Sequence, residues 1–215
     1  VLVLFMASLG GSPALAQTTE TVVEQARSAA SRNDNAAAVR LFEEAIRQAP
    51  DRRLELLVEY ADQLAYAGRP ADAAPLYRER LSDPALDPGL RARAERGLAF
   101  ALLWSSQFDE AIAALQRIAQ ADPADAEARR ALLDAAAGAA RAAASRGANR
   151  EAAQAFERAI ALDPSAGQAL TREYADQLAF AGEPGRAVPL YPKPQARKVT
   201  GRAAGCAIFP PKPPY

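Results

Sequence analysis

Histidine is absent from the 215 residues, and cysteine, methionine and tryptophan occur once each. Without histidine the chain lacks the usual general base near neutral pH and the commonest metal ligand. A lone Cys206 cannot form an internal disulfide, so the fold must rest on core packing, and its place in a Pro-rich terminal stretch makes no thiol catalyst. Acid/base work by carboxylates is the chemistry left over. Glu59 and Asp62, repeated as Glu173 and Asp176, are the best placed for it, yet the two sets lie two or more structural units apart. Acidic residues on helical faces are usually solvated or paired with arginine. The expectation is therefore no catalytic residue, no metal site, no cofactor and no enzyme. Glycine-rich phosphate loops after a strand are missing, as is any basic stripe interleaved with aromatics, so nucleotide and nucleic-acid binding have no support. β-Branched residues are scarce and no run alternates with a period of two over strand length, which argues against a sheet.

What is abundant is alanine, followed by leucine, arginine and glutamate, the residues that helix propensity favours. Apolar positions such as Leu98 and Leu102 recur at helical spacing. The stretch from Glu59 to Gly68, EYADQLAYAG, returns as Glu173 to Gly182, EYADQLAFAG. Ala26–Tyr77 superimposes without gaps on Ala140–Tyr191 with roughly half of the positions identical, as a duplicated structural unit would.

Inside this long period lies a shorter one. Ala26, Ala61, Ala99, Ala140 and Ala175 share one phase. Seven residues later come Asn33, Gly68, Ser106, Gly147 and Gly182. Five further on are Ala38, Ala73, Ala111, Ala152 and Ala187, and four beyond these the bulky Phe42, Tyr77, Leu115, Phe156 and Tyr191. The pattern resembles the tetratricopeptide repeat (TPR) family: small residues where two antiparallel helices cross, a turn residue between them, and a large apolar plug in the second helix. The prolines of "A-I-x-x-x-P", Pro50 and Pro164, resemble the family's helix terminators. The resemblance implies an all-α fold, an α-solenoid of antiparallel helix pairs with about five TPR-like units over residues 17–191, the last of them truncated. In the middle, residues 82–89 lengthen one turn and residues 125–133 prolong a helix, which departs from the usual period of about 34 residues. Gly68 and Gly182 suit the positive φ of a helix C-cap, and Pro70 and Pro184 a first helical turn. Pro75 and Pro189, each six residues into a second helix, are expected to bend it rather than end it.

The two ends carry different signals. Residues 1–16 are apolar and uncharged and close on Ala14-Leu15-Ala16, the small-x-small pattern of a signal-peptide cleavage site, which points to an exported, periplasmic or secreted protein. A membrane anchor is the alternative, but the run falls short of the roughly 20 residues a span needs and is broken by Gly10, Gly11 and Pro13, so no integral span is expected after cleavage. From Pro192 the repeat pattern stops inside a helix. Residues 192–215 hold Lys193, Arg197, Lys198, Arg202 and Lys212 and no acidic residue, a charge of +5; since the whole chain balances at 26 against 26, residues 1–191 carry −5. The tail is either a basic, disordered element for partner binding or the product of a lost reading frame near codon 192, which the break within a helix favours.

In the TPR family the inner face of the superhelix holds ligands, and the resemblance places Arg27, Asp62, Phe100, Arg141 and Asp176 there, with Tyr66, Trp104 and Phe180 one turn further along. Aromatic residues rimmed by charge are what binding hot spots use; ordinary packing of Phe100 and Trp104 between helices is the alternative. The implied function is a non-enzymatic scaffold of the cell envelope that holds a protein or peptide partner in this groove. The phrases EYADQLAYAGR and PLYR also look like the periplasmic part of exopolysaccharide secretion proteins that precede a β-barrel, in which the same aromatics would stack on sugar rings.

Overall fold

The computed structural model describes residues 13–191. Most of the expected signal segment and all of the basic tail thus lie outside the described residues, and only Pro13–Ala16 appear, at the start of the first helix. Eight long helices come first: α1 Pro13–Ser31, α2 Asn35–Gln48, α3 Arg53–Tyr66, α4 Pro70–Leu81, α5 Pro88–Trp104, α6 Phe108–Ala121, α7 Ala126–Ser145 and α8 Asn149–Leu162. Three shorter ones follow, α9 Pro164–Gly167, α10 Thr171–Phe180 and α11 Pro184–Ala187. Neighbours in sequence pack on each other all along the chain, and the first helices of successive units, α3, α5 and α7, also touch. This is an all-α solenoid of antiparallel pairs.

The repeat phases have physical roles. All five crossing alanines, Ala26, Ala61, Ala99, Ala140 and Ala175, are fully buried, because only a methyl group lets the helix axes approach so closely. The residues seven later all adopt the left-handed conformation, with φ of 59° at Asn33, 79° at Gly68, 61° at Ser106, 74° at Gly147 and 83° at Gly182. Each reverses the chain after a first helix, and the N–H of the residue that follows bonds back to that helix, as Arg69 N does to Leu64 O at 2.8 Å and Glu183 N to Leu178 O at 2.8 Å. The plugs Phe42, Tyr77, Leu115 and Phe156 are buried, each contributing about 1.5–3 kcal/mol by leaving water. Three helix starts are capped by aspartate: Asp34, Asp87 and Asp125 each accept a bond from the backbone N–H three residues on.

The long turn and the long helix of the centre are both present, with residues 82–87 leading into the 17-residue α5 and the 20-residue α7 starting at Ala126. Pro75 sits inside an unbroken α4, as expected. Pro189 behaves differently: α11 ends at Ala187 and a 3-10 turn, Val188–Leu190, takes over. In α4 the ladder continues past the proline through Arg78–Leu81, whereas Pro192 has no N–H to offer Val188.

Candidate functional site

The residues expected to line the inner face lie on the first helices of the units, Arg27 on α1, Asp62 and Tyr66 on α3, Phe100 and Trp104 on α5, Arg141 on α7, and Asp176 and Phe180 on α10. Consecutive helices are tied there by arginine–carboxylate bridges. Arg27 of α1 grips Glu59 of α3 with two bonds of 2.8 Å, and Arg141 of α7 grips Glu173 of α10 with two of 2.7 Å, the same fork 114 residues later. Between them, Arg93 of α5 donates to Asp62 of α3 at 2.5 and 3.0 Å. Arg96 of α5 bonds Asp125 and Glu127 at the start of α7, and these two carboxylates, Asp125 first, raise its pKa further above the ordinary arginine value. Exposed bridges of this kind are worth about 0–1 kcal/mol each; what they fix is the register of helix on helix.

Asp62 is more enclosed, with a side chain 13% exposed. Its second oxygen accepts the Tyr77 hydroxyl at 2.5 Å. Burial, reinforced by Asp62, holds that hydroxyl far above the usual phenol range. Asp176 repeats half of the arrangement, accepting the Tyr191 hydroxyl at 2.8 Å. Arg27, Asp62 and Arg141 are therefore engaged within the protein, and Asp176 in part.

A related cluster joins the units from behind. Tyr60 donates to Glu43 at 2.8 Å, and burial together with that carboxylate pushes its hydroxyl up to about 12. Arg69 holds Asp72 at 2.7 Å and reaches Glu43 at 3.9 Å. In the second copy these two positions exchange charge: Arg186, in place of Asp72, pairs with Glu183, in place of Arg69, at 2.7 Å and reaches Glu157 at 3.2 Å. The contact survives the swap because either end of an i,i+3 pair can carry the cation.

The aromatic residues do come together. The rings of Tyr66 and Trp104 lie 6.2 Å apart and those of Phe100 and Trp104 5.7 Å apart, both tilted, the geometry aromatic quadrupoles prefer. The Arg96 guanidinium stands 5.4 Å from the Phe100 ring centre. Tyr66 and Trp104 are 62% and 49% exposed, so the cluster has open faces and is more than internal packing, while Phe100 is half-buried beneath. Phe180, 70% exposed, lies two units away and does not join it. A cavity of about 340 Å³ opens over the trio, with Asp62, Arg93, Arg96 and Glu127 at its edge and the Tyr77 ring against Gly97 at its floor. A Cβ on Gly97 would stand 2.5 Å from Tyr77 Cζ, so glycine is what lets that ring lie across α5. Gly138 seats the Phe108 ring on α7 in the same way.

Arg93, Arg96, Gly97 and Glu127 were not among the residues expected from the sequence. The first two were legible, since Arg93, Arg96, Phe100 and Trp104 follow one another at helical spacing on one face of α5. On its other flank α5 borders a cavity of about 810 Å³ walled by Leu81, Leu98, Ala114 and Ile118, with Arg93 and Arg96 between the two. Among the described residues no three acidic or sulfur side chains gather as a metal site would require, and no helix is long and apolar enough to cross a membrane.

Residues 64–136 match the family model described as tetratricopeptide repeat. No curated protein matches the chain. Among solved structures, one titled MamA MSR-1 is 18% identical with a TM-score of 0.52, covering 80% of this chain and 92% of that one. A second, MamA AMB-1, is 19% identical with a TM-score of 0.51 over 81% and 88%. At such identities the likeness is one of fold. Repeats of this type are typically non-catalytic, and the architecture is that of a protein-interaction scaffold. With its duplicated helix pairs, its five left-handed turns and the family match over residues 64–136, the chain has the helical-repeat architecture of tetratricopeptide-repeat proteins.

Proposed function

We propose that the chain is a non-enzymatic adaptor of the cell envelope, exported by its apolar N-terminus and working in the periplasm or outside the cell. It holds a segment of a protein partner, extended or helical, against the inner face at Tyr66, Phe100 and Trp104. The observation that carries this is the open aromatic trio at the centre of the array. Because the neighbouring guanidiniums already have carboxylate partners, affinity comes mainly from apolar contact and resists salt, unlike a charge effect screened beyond about 10 Å at 0.1 M. The glycan-contacting alternative has no observation of its own behind it.

Trp104 is the single tryptophan, so its fluorescence reports directly on this site. Peptides selected from a displayed library on the full chain are expected to shift Trp104 emission to the blue, and Trp104→Ala to weaken them by about 2 kcal/mol or more without loss of helicity. Binding that ignores Trp104→Ala, collapses at moderate salt and vanishes on deletion of residues 192–215 would place the function in the tail. Export has its own check: with a start codon supplied, the secreted protein is expected to begin at Gln17, and uncleaved, membrane-embedded protein would overturn the localisation.

A further inference from the structure

The charges around the aromatic trio do not balance. Arg93 is held by Asp62, and Arg96 is shared between Asp125 and Glu127. Two guanidiniums thus meet three carboxylates, which leaves one negative charge over beside the cavity of about 340 Å³. That surplus sits on Glu127. Asp125 is enclosed and has both oxygens engaged, one by Arg96 and the other by the Ala128 N–H. The Glu127 side chain is 70% exposed, and its Oε2 alone accepts from Arg96; among the described residues its Oε1 has no hydrogen-bond partner.

One ring of the trio already carries a cation. Arg96 stands 5.4 Å from the centre of Phe100, held there by its two carboxylates. The rings still open are those of Tyr66 and Trp104, tilted 52° to each other and both largely exposed. Because Arg96 touches Phe100 and Glu127 at once, the surplus carboxylate lines the same cavity as these two rings. Three kinds of side chain could enter, and the site ranks them. An acidic one meets Glu127 as a like charge. An apolar one takes Glu127 out of water and offers it nothing in return. A cation gains from the ring faces and from the carboxylate together.

We propose, resting on the inner-face reading above, that the partner segment presents an arginine side chain to this cavity. Its guanidinium lies against Tyr66 and Trp104 and donates to Glu127 Oε1. Arginine suits the site better than lysine because its planar fork can lie flat on a ring while its edge bonds a carboxylate, whereas an ammonium is a compact, strongly hydrated charge. The methylene stem covers the rings, so the contact stays largely apolar and the charge adds selectivity.

The probes are displayed peptide libraries, random except for a central residue fixed as arginine, lysine, leucine or glutamate, each selected on the full chain and on its Trp104→Ala variant. The arginine library is expected to give the strongest enrichment that depends on Trp104. In its best binder, citrulline in place of the fixed arginine keeps the shape and removes the charge, and is expected to weaken binding about tenfold or more. Against Glu127→Gln, which still accepts from Arg96, the same exchange is expected to cost about threefold or less. Glu127 is a surface position, and circular dichroism verifies that the variant keeps its helices. Enrichment that depends on Trp104 but is led by another library, or a citrulline penalty that is equal with and without the Glu127 charge, overturns the arginine and leaves the inner groove standing. Enrichment indifferent to Trp104 in every library overturns the groove and this proposal with it.

Discussion

Replacing Gly97 with alanine sets two effects of opposite sign against each other. Gly97 lies inside α5, where alanine is favoured over glycine by about 1 kcal/mol on helix propensity. Against this, the new Cβ would stand 2.5, 2.6 and 2.7 Å from Cζ, Cε1 and the hydroxyl oxygen of Tyr77. Carbon atoms prefer about 3.5–4.0 Å, so the ring must withdraw by about 1 Å. It has nowhere to go, being 1% exposed and held at its far end by Asp62. Overpacking of this kind costs about 1–3 kcal/mol, and pulling the hydroxyl off a carboxylate costs about 1.5–3 kcal/mol more. The net expectation is a loss of about 2 kcal/mol or more, near 4–8 °C in melting temperature for a domain of this size. Thermal and urea unfolding followed by circular dichroism measure it. The decisive control is Tyr77→Leu, a plug this architecture already uses at Leu115: with the ring gone, Gly97→Ala is expected to stabilise by about 0.5–1 kcal/mol. If Gly97→Ala is neutral in the native background, or has the same sign in both, the close contact does not set the position of α5.

Other consequences are testable by unfolding. Ala61→Leu or Ala175→Leu is expected to cost about 1–3 kcal/mol by prising a helix crossing apart, while Ala71→Leu at an exposed position is near silent; equal stability of all three would mean that the repeat phase is misassigned. With no histidine to titrate, stability is expected to be flat between about pH 6 and 9. Arg52, Arg53 and Arg96 hold Glu55, Glu79 and Asp125 below the ordinary carboxylate range, so their contribution is present above about pH 4.5 and lost as pH falls through the lowered values. Tyr60 and Tyr77 are raised, so theirs is present below about pH 10 and lost as pH climbs toward 12 and beyond. A stability maximum within the neutral range, or an alkaline limb unmoved by Tyr60→Phe, would contradict these assignments.

The order of helices, the crossing alanines, the plugs and the left-handed turns were determined by the sequence alone. They are local or periodic properties: a methyl group at a fixed phase, a residue that tolerates positive φ, a bulky apolar side chain four positions after a small one. Positive φ was legible at Gly68 and Gly182; that Asn33 and Ser106, neither of them glycine, adopt it at the same phase is a finding of the structure. The partners of the charged residues were decided only by the tertiary structure. The repeat phase singled out Asp62, but not that Tyr77, 15 residues on, and Arg93, 31 residues on, would share its two oxygens. The gathering of Tyr66 with Trp104 and the separation of Phe180 from both depend on how one unit is rotated on the next. Side-chain periodicity is blind to that rotation. It follows from the summed packing of Gly97 on Tyr77, Gly138 on Phe108 and the arginine bridges between helices, whose members are distant in sequence and meet only when the stack has formed.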